Sequence, residues 1–456
     1  MDRTSCIVNR ELHKPQYLSI YIKGISFGTI EIFGVIKLAG IPLNCHVTDG
    51  IYTVKRIHQI AHRKKQPLFL LFVDLTAAFD HIPRKWLFDS IKLRFAANQS
   101  PHVISILEKL YAYTSLTYEG ETFQTTSGVR QGGPESPFLF NLFIDFVVRV
   151  FIEKSTNTQF FEHKYRINPR SLTREERYTL REQSIDLNGS STLPLCGYAD
   201  DLVLFLTNHI CLNNSANLLN SVFKNFGLTI NTSKTETMII NGENPNTNEY
   251  PATIISIDGS PLKNVQKFKY LGCHIDYLEP NSGNVEINNR IQISSVKFNE
   301  LSNLLQNFQI NLKTRVKFLN SFVRSRLTYA CQNWNITQNQ YDRIDATYRM
   351  FLRRMIRNGM KHVNEVENDF RMMISNVRLH EICDTKDVSV FIKNQQRNYV
   401  AHVIHMQVNR NVKKLTFNDD KYTKRGRPVR SLMEQVMANE NLGIDGLCND
   451  ALKRRK

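Results

Sequence analysis

Two adjacent carboxylates, Asp200 and Asp201, interrupt the otherwise apolar run L-P-L-C-G-Y-A-D-D-L-V-L-F-L at 193–206. A third acid, Asp74, ends a second apolar run, P-L-F-L-L-F-V-D at 67–74. Carboxylates about 4 Å apart repel by roughly 4 kcal/mol at an effective dielectric near 20, so a buried pair persists only when protonated or bridged by cations. A divalent metal is the economical answer. Mg²⁺ takes hard oxygen ligands and leaves positions open for substrate phosphates, which suits aspartate better than the dispersed cysteines and histidines of this chain. A hairpin tip alone supplies too few ligands. With Asp74 on a neighbouring strand, Asp74, Asp200 and Asp201 make a site for two Mg²⁺ ions, or Mn²⁺ in their place, flanking an in-line displacement. Read alone, an Asp-Asp pair in a hairpin is ordinary turn chemistry. Its apolar flanks and the Asp-ended run upstream weaken that reading.

For these acids to meet, 67–74 must form a buried strand and 193–206 a hairpin whose two halves join at the Asp pair. Upstream, Ile51, Val54, Ile57 and Ile60 recur at helical spacing and predict an amphipathic helix over 48–63, with Lys55, Arg56, His58, His62 and Arg63 on its exterior. Asp80 followed by Pro83 marks a helix start, with Asp80 as its N-cap. Residues 122–150 read as a strand, a glycine loop and a buried helix capped by Ser136, with Pro137 at its first position. The polar stretch 152–190 predicts a surface insertion, and a helix over 213–226, a strand pair across 228–240 and a strand at 266–275 complete an α/β unit. From 285 the period turns helical through Ile287, Ile291, Phe298, Leu301, Leu305 and Phe308, which predicts a separate helical domain. Its outer faces carry Lys313, Arg315, Lys317, Arg324 and Arg326, then Arg343, Arg349, Arg353, Arg354 and Arg357, a basic surface suited to phosphates. His402 and His405, one helical turn apart with no third ligand, read as surface residues.

The 456 residues, 41% hydrophobic, suffice for two or three domains, and a formal charge of +17 favours a polyanionic partner such as nucleic acid. Eight scattered cysteines without a C-x-x-C pair point to reduced intracellular thiols and against a disulfide framework or structural zinc. Residues 17–43 are apolar, yet Lys23, Glu31, Lys37 and four glycines interrupt them, so paired strands are expected rather than a membrane span, with no signal peptide before them. The terminal K-R-R-K gives slight support for a nuclear destination.

The ordered set F-V-D-L-T-A-A-F-D (72–80), G-V-R-Q-G-G-P-E-S-P-F-L-F-N-L-F-I-D (128–145), Y-A-D-D (198–201), G-L-T-I-N-T-S-K-T-E (227–236) and F-K-Y-L-G (268–272) resembles the palm motifs of reverse transcriptases, above all those of non-LTR (LINE-type) retrotransposons. The resemblance spans about 48–358 and, more weakly, K-R-G-R-P at 424–428. It implies an α+β right-hand polymerase: a divergent N-terminal segment (1–47), a fingers remnant and palm (48–280), a helical thumb (281–360) and a basic C-terminal helical region and tail (361–456). The implied activity is RNA-directed DNA synthesis on an RNA template and DNA primer from dNTPs, inside the cell, in the nucleus or a cytoplasmic ribonucleoprotein, without a membrane.

Residue by residue, the resemblance makes Asp74, Asp200 and Asp201 metal ligands, with Leu75 lending a backbone carbonyl and Lys234 serving the leaving pyrophosphate. Ala78, Phe79, Arg130, Gln131, Gly132 and Tyr198 would meet the nucleotide or template; Tyr270, Leu271 and Gly272 would form the primer grip. Phe79 would be the steric gate against a ribose 2′-OH, or else a core ring at a helix start; from the residues both stay open. Glu135 departs from the family's small or apolar residue and adds negative charge near the site. Residues 1–46 lack a recognisable fingers segment, and no nuclease signature is present. The competing readings are a relic that binds nucleic acid without turnover and a palm polymerase making RNA, against which Phe79 argues.

Overall fold

The computed structural model describes residues 47–95, 101–173, 176–177, 187–242, 255–280, 283–356, 374–418 and 430–453. The paired strands expected in 17–43, the K-R-G-R-P string, the last three residues of the K-R-R-K terminus, Arg357 and the domain boundary at 360 lie outside them. The first described element is α1 (Val47–Lys64), followed by β1 (Leu68–Val73), the single turn α2 (Ala78–His81), α3 (Arg84–Phe95) and α4 (Pro101–Ala112). A small hairpin, β2 (Ser115–Tyr118) and β3 (Glu121–Gln124), leads through the glycine loop into α5 (Ser136–Lys154). Next come β4 (Phe161–Arg166), β5 (Asn188–Leu193), β6 (Leu195–Tyr198), β7 (Asp201–Leu206), α6 (His209–Asn225) and β8 (Glu236–Ile240). Short strands β9 (Ser256–Ile257), β10 (Ser260–Pro261) and β11 (Lys263–Asn264) precede the hairpin β12 (Lys267–Tyr270) and β13 (Cys273–Asp276).

The central sheet runs β11-β8-β1-β7-β6, antiparallel except where β11 joins β8. Alternate residues of a strand face opposite sides. Phe69, Leu71 and Val73 therefore enter one core with Leu204, Leu206, α5 and α6, while Leu70 and Phe72 enter another with Val203, Phe205, Met238 and the apolar stripe of α1. Both faces are covered, which is why β1 is apolar without alternation.

That second layer corrects the reading of α1. Its helix is present, but Lys55, Arg56 and His58 are buried rather than exterior. Arg56 Nε donates to the Leu415 carbonyl (3.0 Å), and His58 Nε2 sits 3.1 Å from the Tyr277 carbonyl. Asp49 accepts from the Tyr399 hydroxyl at 2.9 Å. A hydrophobic stripe shows which side meets the first core; it says nothing of a second element closing over the polar side. The strand pair across 228–240 is also corrected: only β8 is a strand there, and it pairs with β1, while Ile230 forms an isolated bridge to Leu75.

The helical domain holds α7 (Asn284–Glu300), α8 (Leu312–Phe318), a π turn at Leu319–Arg324, α9 (Gln338–Ile356), α10 (Asn376–Cys383) and α11 (Val388–Ile404). Ile287, Phe298, Leu319, Ile344, Phe351, Leu379 and Ile392 share one core, so helices on both sides of 357–373 pack together. Phe308 of the expected stripe is half exposed. Arg315 is not on the outer face. It is buried and caps the carbonyls of Leu305, Ile310 and Met355 at 2.9–3.2 Å. Arg349 pairs with Asp387 (2.7 Å) and Arg324 lies over Phe391, whereas Lys313, Lys317 and Arg326 remain exposed.

A third core joins α12 (Asn411–Thr416), α13 (Leu432–Glu440) and α14 (Ile444–Lys453) to Tyr165, Ile167 and Leu172. The expected surface insertion is thus in part a packed hairpin: β4 and β5 pair, and β4 alternates buried and exposed residues. Buried Lys413 knits this unit, donating to the carbonyls of Ser171 (2.6 Å), Ile404 (3.0 Å) and Met406 (2.8 Å). His402 and His405 are half-buried rather than on the surface, and His405 Nε2 lies 3.0 Å from the Ala451 carbonyl.

Candidate active site

The hairpin expected at 193–206 is present, with Tyr198 paired to Asp201 across a two-residue turn. Ala199 has φ 53°, the positive value a type II′ turn demands at its first central residue. Val73 pairs with Leu202, and one further step along both strands sets Asp74 across from Asp201. Cross-strand neighbours at such positions stand about 4.5–5.5 Å apart at Cβ. The Asp74 N–H donates to Thr235 Oγ1 (3.2 Å) and its carbonyl accepts from the Asn231 N–H (2.9 Å). This fixes the turn after 230 against β1 and brings Lys234 Nζ to 3.8 Å from Asp74 Oδ2.

The charges act on one another. Partial withdrawal from water, then the carboxylates of Asp200 and Asp74, push Asp201 up to about 6. Its side chain still opens to solvent at the rim, so the repulsion from its two neighbours is the part a cation would cancel. Among the described residues no group of three or more Asp, Glu, His or Cys side chains is drawn together as closely as a bound ion would hold them. A two-ion site spreads its ligands over metals roughly 3.5–4 Å apart and takes further oxygens from water and phosphate. Three carboxylates in mutual electrostatic range, with no imidazole or thiolate among them, fit hard divalent cations on donor chemistry.

Beyond Asp74 the chain turns sharply through Ala77, at φ 43° and ψ 45°, into α2. Ala78 is buried. Phe79 stacks on Phe140 with centroids 3.9 Å apart and planes 12° apart, yet remains partly exposed. Asp80 is not the N-cap expected for it: Ala77 holds that place without a side-chain bond, and Asp80 Oδ1 accepts from Gln131 Nε2 at 3.0 Å. The Gly128 and Val129 N–H groups bond the carbonyls of Ile82 (2.8 Å) and Phe79 (2.9 Å), docking the glycine loop onto α2. Gly128 has φ +75°, and a Cβ there would stand 2.7 Å from the Asp80 carbonyl oxygen.

Glu135 is buried, 4.0 Å from Arg130 Nη1 and 3.4 Å from the Tyr111 hydroxyl that donates to it. Arg130 is therefore held back by an acid at the start of α5. Ser136 does not cap α5 with its side chain; its hydroxyl donates to the Arg130 carbonyl, and Glu135 occupies the N-cap position. Gly132 faces open space, whereas Gly133 lies against Glu135 and Ser136. Sequence reasoning missed Arg84, whose guanidinium donates to the carbonyls of Tyr111 (2.9 Å), Thr125 (2.6 Å) and Gly128 (3.2 Å) and holds the loop's entry. No local signal marks it.

Tyr270 and Cys273 pair across the turn Leu271–Gly272, at φ 46° and 76°, both positive as a type I′ turn requires. Tyr270 is buried in the core under α1, and a Cβ on Gly50 of α1 would stand 3.1 Å from Leu271 Cδ1. The hairpin therefore leans on the same helix that backs the aspartate strands.

Residues 35–275 match the family described as reverse transcriptase (RNA-dependent DNA polymerase). The chain belongs to this family. The match takes in each motif position above, and the right-hand polymerase fold follows for this mixed sheet-and-helix chain. Among solved structures, the chain is similar to Candida tropicalis telomerase in complex with a TWJ fragment of telomeric RNA, at TM-score 0.36 and 12% identity over 88% of this chain and 55% of that one. Candida albicans telomerase with a TWJ fragment gives TM-score 0.35 and 11% identity over 80% and 51%. The chain thus spans about half the length of these telomerases. No curated protein matches the sequence. Reverse transcriptases in general use divalent metal ions. No helix among the described residues is long and apolar enough to cross a membrane.

Proposed function

We propose that the chain is the RNA-directed DNA polymerase of a non-LTR-type retrotransposon, extending a primer 3′-OH with dNTPs on an RNA template. The observation that carries the reading is the register that brings Asp74 opposite the Asp200–Asp201 turn. Mg²⁺ ions held there by the three carboxylates, with the Leu75 carbonyl, would activate the primer hydroxyl and neutralise charge on the triphosphate. The remaining work falls to protein groups. Lys234, beside Asp74, offers a proton and a positive charge to the departing pyrophosphate. Phe79 presents its free edge to the sugar, and Gly132 leaves room for a base pair. Gln131, fixed by Asp80, and Arg130, once released from Glu135, reach the nucleotide or template, with Tyr198 beside them. Tyr270, Leu271 and Gly272 hold the primer end. The retrotransposon context rests on the motif resemblance, and it makes the nucleus or a cytoplasmic ribonucleoprotein the working location.

A second reading, a nucleic-acid-binding relic without turnover, draws on the spacing of the carboxylates, which do not close round an ion as they stand. Purified protein with oligo-dT on poly-rA separates the two. dNTP incorporation that disappears in Asp200→Asn supports the polymerase; salt-sensitive binding without extension supports the relic; rNTP incorporation overturns the assignment to DNA synthesis.

A further inference from the structure

The turn Leu271–Gly272 has both of its carbonyls taken by thumb side chains. The Tyr329 hydroxyl donates to the Leu271 carbonyl at 3.0 Å, and Arg290 Nη2 donates to that of Gly272. Arg290 is buried and ion-paired to Glu286 (2.6 Å), while Glu286 also accepts from the His274 N–H (2.9 Å). The Tyr329 ring lies 4.7 Å from the Arg290 guanidinium and walls the turn so closely that a Cβ on Gly272 would meet it at 3.3 Å. Tyr198 of the aspartate hairpin stands within electrostatic reach of the Tyr329 hydroxyl.

Tyr329 itself is firmly aimed. It sits just after the π turn, beside Ala330 at φ 55°, in a loop where Gln332 and Asn333 bond Thr48 at 3.1 and 2.7 Å. Yet it keeps 39% of its surface in solvent.

Resting on the polymerase reading above, we propose that Tyr329 is a positioning residue: with the buried Glu286–Arg290 pair it makes the thumb and the 267–276 hairpin one body, so that thumb engagement with the duplex sets the place of the primer 3′ end. Tyr329 and Arg290 hold the turn's two carbonyls directly, and Glu286 holds the next strand through the His274 N–H.

The test uses the full chain, Tyr329→Phe, and an RNA template placing uracil opposite 2-aminopurine at the primer 3′ terminus. The variant keeps the ring over Arg290 and loses only the bond to Leu271. The expected result is a kcat for nucleotide addition lowered about five-fold, the worth of one neutral hydrogen bond, with the dNTP KM and duplex affinity unmoved and the melting temperature lower by about two degrees at most. The 2-aminopurine fluorescence of the bound primer end changes with it. Unchanged kcat and fluorescence overturn the proposal, as does a general loss in which melting temperature and every kinetic constant fall together. A wild type that binds duplex but never extends it overturns the polymerase reading instead, and the fluorescence of the two proteins then decides the present proposal by itself.

Discussion

His58 lies buried in the middle of α1, with its Nε2 against the Tyr277 carbonyl. Burial, opposed in part by that carbonyl and reinforced by His62, pulls its pKa from the ordinary 6.5 down to about 3. The folded protein therefore holds His58 neutral, while the unfolded chain protonates it below 6.5. A folded pKa below the unfolded one means stability is whole above pH 6.5 and drains as pH falls toward 3. At pH 5 the imbalance covers about 1.5 pH units, or about 2 kcal/mol. The amide of His58→Gln can still donate to Tyr277 but cannot titrate. Chemical denaturation of wild type and variant at pH 7.5 and pH 5.0 should show the wild type losing about 2 kcal/mol more than the variant over that step. Equal losses would mean that His58 is hydrated in the native state, and the sandwich of α1 would be wrong. The consequence reaches beyond α1, which carries Gly50 against Leu271, so loosening it at low pH frees the Leu271–Gly272 turn.

Lys413→Met keeps volume but strands the carbonyls of Ser171, Ile404 and Met406; a loss of about 3 kcal/mol in denaturant unfolding is expected, and a change within about 0.5 kcal/mol would show that water replaces the ammonium. Gly128→Ala forces a Cβ to within 2.7 Å of the Asp80 carbonyl at a positive φ, so the glycine loop must leave α2; melting temperature should drop and the dNTP KM rise together, and an unaltered KM would detach the loop from nucleotide binding. Divalent cation affinity, read by Mn²⁺ electron resonance, should weaken about four-fold between pH 7.5 and pH 5.5 as Asp201 takes a proton near 6, and Asp201→Asn should abolish that slope.

The sheet and the acids were legible because their constraints are local. A strand buried on both faces must be apolar throughout, and a carboxylate at its end has few structural excuses, so Asp74 and the Asp200–Asp201 turn stood out before any register was known. The turn at 199–200 was likewise marked by two short apolar runs meeting at the Asp pair, whereas the stretch 266–275, expected as one strand, is a hairpin that turns at Leu271–Gly272. What stayed hidden depends on partners far away in the chain. Arg56 meets Leu415, Asn333 meets Thr48, and Lys413 meets Ser171, and nothing within one helical turn of any of them announces it. Charged residues on a helix read as solvated until another layer covers them, which is why Lys55, Arg56 and Arg315 were placed outside.

Glu286 and Arg290 stand between these cases. An acid and a base four residues apart on a helix form an ordinary surface pair by sequence, worth a few tenths of a kcal/mol. Here the same spacing is buried against a hairpin whose turn needs two hydrogen-bond donors, and the pair becomes the bracket that supplies one of them while Tyr329 supplies the other. The identical i, i+4 pattern thus has two energetic lives, and which one applies is set by the Leu271–Gly272 turn, whose positive φ values point its carbonyls at the thumb. A residue's role in this chain is therefore decided by the unsatisfied backbone it faces as much as by its own chemistry.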